Sequence, residues 1–364
     1  MQPAMLRLHT ISLYQFKNYH QRQFSFAGRI TGILGRNGVG KTNLLDAIHY
    51  LCFTRSYFTR LETLNVEYGC QGFRLLGRFS LGGREEEVVC ILRETGKKEF
   101  QLNGEPYQRF SQHIGKYPCV MIAPDDIRVI TEGSDERRRW MDTLLSQLDP
   151  DYLQHLIAYN RILLQRNTLL KRFAETGHRD LSLLDVLDGQ LVPPGQALYK
   201  RRRDFLAALL PEVAALYRDI AGQPEPVTLQ YESDLQSGDF GGLLEASRPR
   251  DLISQRTCTG VHRDELVFTL GENTFRQVAS QGQRKSLLFA LKLAELGQLK
   301  REKGFAPILL LDDVFEKLDE QRIASLLQKV VRENDGPVFI TDTHELRLRQ
   351  HLEPLGEPFE LIEL

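Results

Sequence analysis

The sequence predicts an α/β domain interrupted by a long helical block. Three observations carry that prediction. A buried apolar strand, Ile30-Thr31-Gly32-Ile33-Leu34, feeds a glycine-rich loop. A second apolar run, Ile308 to Leu311, ends in paired carboxylates. Between them, from about Ser134, the apolar spacing turns helical.

Along the chain, short apolar runs broken by turns lead from Leu6 to Leu34, and Asn43 to Cys52 has helical spacing after the loop. Residues 72–108 predict three antiparallel strands turning at Gly82-Gly83, Gly96-Lys97 and Asn103-Gly104. Ser134 is the expected N-cap of the helical block, with Asp135 and Glu136 in its first turn and a break at Asp149-Pro150. Pro193-Pro194 is the expected stop before a further helix over Gly195 to Ile220. Strand patterns return at Val227 to Tyr231 and Leu266 to Leu270, and a long helix follows Gln281. The expected division is one lobe from residues 1–130 and 223–364, with 131–222 as an inserted helical lobe. No heptads persist for the three or four repeats of a coiled coil.

Composition excludes several classes. With 364 residues and 41 % hydrophobic content, the chain can bury a large core. Its 47 Lys+Arg against 48 Asp+Glu leave a net charge of −1, so any surface for a polyanion must be local. Five scattered cysteines without a CxxC pair suggest neither a disulfide framework nor a zinc site. Without a leader pattern or about 18 successive apolar residues, the expectation is a soluble cytoplasmic protein with no membrane partner.

Gly35-Arg36-Asn37-Gly38-Val39-Gly40-Lys41-Thr42 fits GxxxxGK[ST], with a strand before it and a helix after it. Glycines let backbone N–H groups curl around phosphates at a helix N-terminus. The pattern predicts ATP binding, with Lys41 on the β- and γ-phosphates and Thr42 on Mg²⁺. Asp312, at the end of the second apolar strand, is the other expected Mg²⁺ ligand, and Asp313 is placed to orient or deprotonate the attacking water. Ser280-Gln281-Gly282-Gln283 stands directly before a helix and forms a second anion site. Two phosphate-binding termini but one glycine loop fit a two-fold dimer, each subunit closing over the other's ATP.

That order defines an ABC-type P-loop ATPase head, and within that class the chain resembles the RecF family over essentially its whole length. The resemblance rests on Phe16-Lys17-Asn18-Tyr19, Pro124-Asp125-Asp126-Ile127, Gly133 with Arg137-Arg138, Gly260-Val261-His262-Arg263-Asp264-Glu265-Leu266, Ser280 to Arg284, and Asp312-Asp313. It implies a head like those of Rad50 and SMC proteins, with a mixed sheet, helices and an antiparallel meander but no long coiled coil. It also implies an ATP-dependent homodimer that binds double-stranded DNA and its junctions with single strands without reading sequence, and that hydrolyses ATP slowly in a DNA-dependent way. Such proteins work with RecO and RecR to load RecA at gaps, serving DNA repair, recombination, replication restart and the SOS response. The energising subunit of a membrane transporter is the alternative, since it shares the loop, signature and acidic strand; the Gly260 to Leu266 stretch and the Ser-Gln-Gly-Gln signature favour the DNA clamp.

Several positions stay open at this level. Asn18 and Arg36 are candidates for contacting adenine or phosphates, or for structural roles. Asp319 either bridges the dimer or starts a helix. His344 is either a histidine that touches the γ-phosphate or a surface residue, and His262-Arg263 serves either the nucleotide site or a charged turn. Arg137-Arg138-Arg139, Lys200-Arg201-Arg202-Arg203, and Arg55 with Arg60 are candidate DNA contacts or simply solvated faces.

Overall fold

The computed structural model describes residues 5–178, 180–222, 224–314, 327–330 and 334–364. It divides into two compact units, residues Met1–Ile127 with Lys285–Leu364, and Arg128–Arg284.

The first unit opens with a hairpin, β1 (Leu6–Phe16) and β2 (Tyr19–Ser25), followed by β3 (Ile30–Leu34) and α1 (Lys41–Phe53). The expected meander is present as β4 (Phe73–Leu81), β5 (Arg84–Leu92) and β6 (Lys98–Leu102), extended by the two-residue β7 (Glu105–Pro106), and β8 (Cys119–Ile122) follows. The left-handed Gly82-Gly83 and Asn103-Gly104 pairs match the right-handed twist of the flanking strands.

The second unit contains α2 (Arg128–Thr131), α3 (Ser134–Leu148), α4 (Pro150–Thr176), α5 (Leu181–Ala221), β9 (Val227–Glu232), α6 (Phe240–Ser254), β10 (Glu265–Leu270), β11 (Asn273–Thr274) and α7 (Phe275–Val278). Three differences from the sequence expectation arise here. The N-cap of α3 is Gly133, not Ser134, and Asp135 and Glu136 turn instead to Arg138 and Arg139. Pro193-Pro194 does not stop a helix: α5 runs 41 residues through both prolines and Pro211. Tertiary packing overrides the local breaker, because Pro194 and Gly195 are buried and a Cβ on Gly195 would lie 2.4 Å from Phe240. The domain boundary also moves. Residues 224–284, expected in the first lobe, fold with the helices, since β9, β10 and β11 pair only with one another and β9 packs on α5.

From α8 (Gln281–Lys303) the chain returns to the first unit and adds β12 (Ile308–Leu311), β13 (Val338–Asp342), α9 (Glu345–Leu352) and β14 (Phe359–Glu363). A parallel sheet forms in the order β14-β3-β13-β12-β8, separate from the antiparallel sheet β2-β1-β4-β5-β6-β7. Continuous apolar runs at β3, β8, β12 and β13 are what strands covered on both faces require. The antiparallel sheet alternates instead, and its inward residues Phe16, Leu75, Phe79 and Val88 join α1 in one core. α1 is buried nearly all round, which fixes the loop before it against a rigid element. Among the described residues no helix is long and apolar enough to cross a membrane, and all five cysteines are free.

Three histidines are held neutral by burial: His49 is pushed down to about 3, and His113 and His262 to about 4. In the unfolded chain each regains a value of about 6.5, so below that pH the unfolded state binds more protons. Stability is therefore full above about pH 6.5 and declines on acidification; Asp312, raised to about 6, offsets part of the loss. The urea midpoint followed by circular dichroism is expected to fall between about pH 7 and pH 5, a window in which ordinary carboxylates stay ionised. A flat midpoint across that window would contradict the assignment.

Candidate functional site

Strand order decides where the chemistry gathers. β3 carries the glycine loop, β12 carries Asp312, and β13 lies between them, so all three present their carboxyl ends at one edge. The loop residues Arg36, Asn37 and Gly38 are exposed, while Lys41 is buried. Gly38 and Gly40 take φ of 85° and 117°, which β-carbon sterics disfavour. At Gly40 space is also lacking: a Cβ would lie 2.7 Å from the Asn18 amide and 2.8 Å from the Tyr19 hydroxyl.

Those two side chains brace the loop from the β1–β2 turn. Asn18 donates to the Val39 carbonyl at 2.9 Å and accepts from the Asn43 amide at 2.8 Å, and the Tyr19 hydroxyl donates to the Gly40 carbonyl at 3.0 Å. Asn18, a candidate nucleotide contact, thus already holds the loop backbone. The same turn is anchored to α1 through Lys17 and the buried Asp46, which also accepts from the Ser56 hydroxyl at 2.6 Å and the Tyr57 N–H at 2.7 Å.

Lys41 reaches back to the carbonyls of Gly35 at 2.8 Å and Arg36 at 3.2 Å. The Thr42 hydroxyl donates to Asp312, 2.9 and 3.0 Å from its two oxygens, so the expected ligand pair meets across 270 positions of sequence. A residue the sequence reading missed completes the arrangement. Thr341, fully buried at the end of β13, donates to Asp312 at 2.9 Å and accepts from the Asp313 N–H at 2.9 Å. A hydroxyl just beyond the apolar run Val338 to Ile340 was its only signal. Burial pushes the Asp312 pKa up to about 6, the hydrogen bonds from Thr341 and Thr42 pull it down, and the neighbouring Asp313 charge raises it. Asp313 itself has a left-handed backbone, φ 44°, a conformation that a residue with a β-carbon adopts at a cost. A carboxylate beside a hydroxyl is an oxygen donor set suited to a hard cation such as Mg²⁺.

At the other candidate anion site, Ser280 and Gln283 form a reciprocal capping box at the start of α8. The Ser280 N–H donates to the Gln283 Oε1 at 2.7 Å, and the Gln283 N–H donates to the Ser280 hydroxyl at 3.2 Å. Gln281 and Gly282 occupy the first turn. His344 is exposed and heads α9, its N–H bonded to Asp342 at 2.9 Å. Asp319 lies outside the described residues.

The arginine clusters of the second unit are largely consumed internally. Arg137 pairs with Glu265 at 2.7 Å, Arg138 with Asp135, Arg139 with Glu136 at 2.8 Å, Arg201 with Asp149 at 3.0 Å and Arg203 with Asp204 at 2.8 Å. Arg202 is buried between Asp142 and Asp264, each at 2.7 Å. His262 belongs to the same interior, bonded to the Tyr159 hydroxyl at 2.7 Å and the Thr257 carbonyl at 3.0 Å. Arg55 and Arg60 are exposed.

A family model for an AAA domain matches residues 10–167. The chain is 38 % identical over 359 residues to the DNA replication and repair protein RecF of Flavobacterium johnsoniae, spanning 99 % of this chain and 100 % of that protein. It is 41 % identical over 354 residues to the protein of the same name from Parabacteroides distasonis, spanning 97 % and 96 %. Among solved structures, the recombination mediator protein RecF-ATPrS of the RecFOR pathway aligns at TM-score 0.86 and 28 % identity over 94 % of each chain. The Smc head domain from Pyrococcus furiosus aligns at TM-score 0.51 and 15 % identity over 94 % and 91 %, a likeness of fold alone.

Replacing Thr341 by Val removes a donor from buried Asp312 and the acceptor of the Asp313 N–H. The expected cost is about 1–3 kcal/mol by urea unfolding, with Thr341→Ser close to wild type. Equal stability of Thr341→Val and wild type would remove Thr341 from the site's framework.

Proposed function

Because the chain belongs to the RecF family of DNA replication and repair proteins, we propose that it is an ATP-dependent DNA clamp of recombinational repair. The observation that carries this reading is the meeting of Thr42 with Asp312 at the mouth of the glycine loop. The solved relatives described as RecF-ATP and RecF-ATPrS support ATP as the ligand.

In this reading the backbone from Gly35 to Thr42 cradles the phosphates, and the Lys41 ammonium leaves its loop carbonyls to face the β- and γ-oxygens. Thr42 and Asp312 hold Mg²⁺, which when bound offsets phosphate charge. Asp313 orients the attacking water or takes its proton. Ser280 to Gln283 of a second copy closes the site, and Asp319 bridges the two copies. ATP then joins two subunits around double-stranded DNA or its junction with a single strand, slow DNA-dependent hydrolysis releases it, and RecO and RecR use the complex to load RecA. Binding is independent of sequence, since contacts to phosphates carry no base information.

ATP is expected to raise both the dimer fraction in sedimentation and the affinity for duplex DNA. Lys41→Ala should lose both effects, while Asp313→Asn should keep the dimer and slow phosphate release at least tenfold. Sedimentation and DNA affinity that ignore ATP would sink the clamp.

A further inference from the structure

The outward face of the antiparallel sheet carries a concavity of about 830 Å³ that the clamp mechanism does not use. Strand register builds it in two rows. Gln21, Tyr14 and Arg74 lie directly opposite one another across β2, β1 and β4, and Gln23, Ser12 and Leu76 form the next row. Residues directly opposite across antiparallel strands share one face, so these side chains stand together. Tyr14 is 45 % exposed although it is a large aromatic at mid-strand. Arg74 is the charged residue that stands on this face; Arg22 also borders the concavity but lies opposite the buried Leu13, on the other face of the sheet, and no carboxylate lines the concavity. Neither arginine is ion-paired among the described residues. Arg78, by contrast, pairs with Glu87 at 3.4 Å, and Arg93 with Glu99 at 2.9 Å.

We infer that this concavity binds an unpaired nucleic-acid strand, a base stacking on Tyr14 and a phosphate meeting Arg74. The inference rests on the clamp reading for its biological setting and adds a place for the single-stranded arm of a junction. The unpaired Arg74 favours an anion, and the exposed ring beside it selects among anions. A duplex offers phosphates but keeps its base faces stacked inside, whereas an unpaired strand offers both. The floor of Gln21 and Gln23 supplies amides that donate and accept, which tolerates any base edge. The volume falls within the roughly 300–1,000 Å³ of ordinary ligand pockets, room for a flipped base and its phosphates.

The test is fluorescence anisotropy on the full-length protein with ATP, using three labelled probes: an oligothymidylate of about 16 nucleotides, a blunt duplex, and that duplex carrying the oligothymidylate as a tail. Tyr14→Ala is expected to weaken oligothymidylate binding about tenfold and to abolish the tail's advantage over the blunt duplex, whereas Tyr14→Phe keeps both. Arg74→Ala should lower the salt slope for the oligothymidylate by about 1. Blunt-duplex affinity should not change in any variant, and circular dichroism melts check that each is folded. Unchanged oligothymidylate binding in Tyr14→Ala and Arg74→Ala would overturn the inference, as would equal displacement by AMP or by polyglutamate. A wild-type protein that binds blunt duplex with ATP but gains nothing from the tail refutes the strand site and spares the clamp. One that binds oligothymidylate at Tyr14 while ignoring ATP and duplex refutes the clamp and spares the strand site.

Discussion

The hydroxyl of Thr341 ties together the parts on which the rest of the nucleotide site depends. It gives its proton to Asp312 and takes the N–H of Asp313, while Thr42 gives its own proton to the same Asp312 carboxylate. Three elements far apart in sequence, α1, the end of β12 and the end of β13, are thereby fixed by hydrogen bonds in a largely buried setting. Such bonds gain in strength where water does not compete, and each is costly to leave unmade. Without them, Asp312 would be a desolvated carboxylate with the Lys41 charge left to favour its ionised form. With them, it is a positioned carboxylate whose pKa stays below neutrality despite burial.

Much of this was legible in the sequence because the relevant physics is local. The glycine spacing from Gly35 to Gly40, the apolar strand before Asp312 and the turn pairs of the meander each describe conformations that a few adjacent residues enforce. Thr341 and Tyr19 were not legible as site residues, because each acts through one hydroxyl on a backbone or side chain brought near by the order of parallel strands. That order, with β13 between β3 and β12, is a property of the whole sheet. The helix break at Pro193-Pro194 failed for a related reason. The local cost of two prolines is real, but burial of Leu191, Pro194 and Leu198 along one continuous helix outweighs it. β14 was missed because its alternation is weak and its residues are only half buried.

Charge was the least legible property. The triplets Arg137 to Arg139 and Arg201 to Arg203 look cationic in sequence, yet in the fold they are matched by acids as near as one position away and as far as 128. Arg202 is the extreme case: its guanidinium is buried and satisfied by two carboxylates, the Tyr152 hydroxyl and the Val261 carbonyl, which makes it part of the interior of the second unit. Removing it would strand two acids and destabilise the unit well before it told anything about a ligand. Arg74 stands singly in sequence and attracts no notice there, but it borders a concavity without a counter-ion. A run of like charges is thus a poor guide to the field outside this protein, because folding decides which charges remain.

The capping box at the start of α8 has an energetic consequence for subunit exchange. The Ser280 hydroxyl already has a partner in its own chain, the Gln283 N–H, and the Gln283 amide oxygen is likewise spent on the Ser280 backbone. In the proposed dimer, turning that hydroxyl toward the neighbour's nucleotide would exchange one hydrogen bond for another instead of adding a new one, so the net gain on closure stays small. An association with so little surplus is easily reversed, and its lifetime would respond to whatever else is held between the subunits.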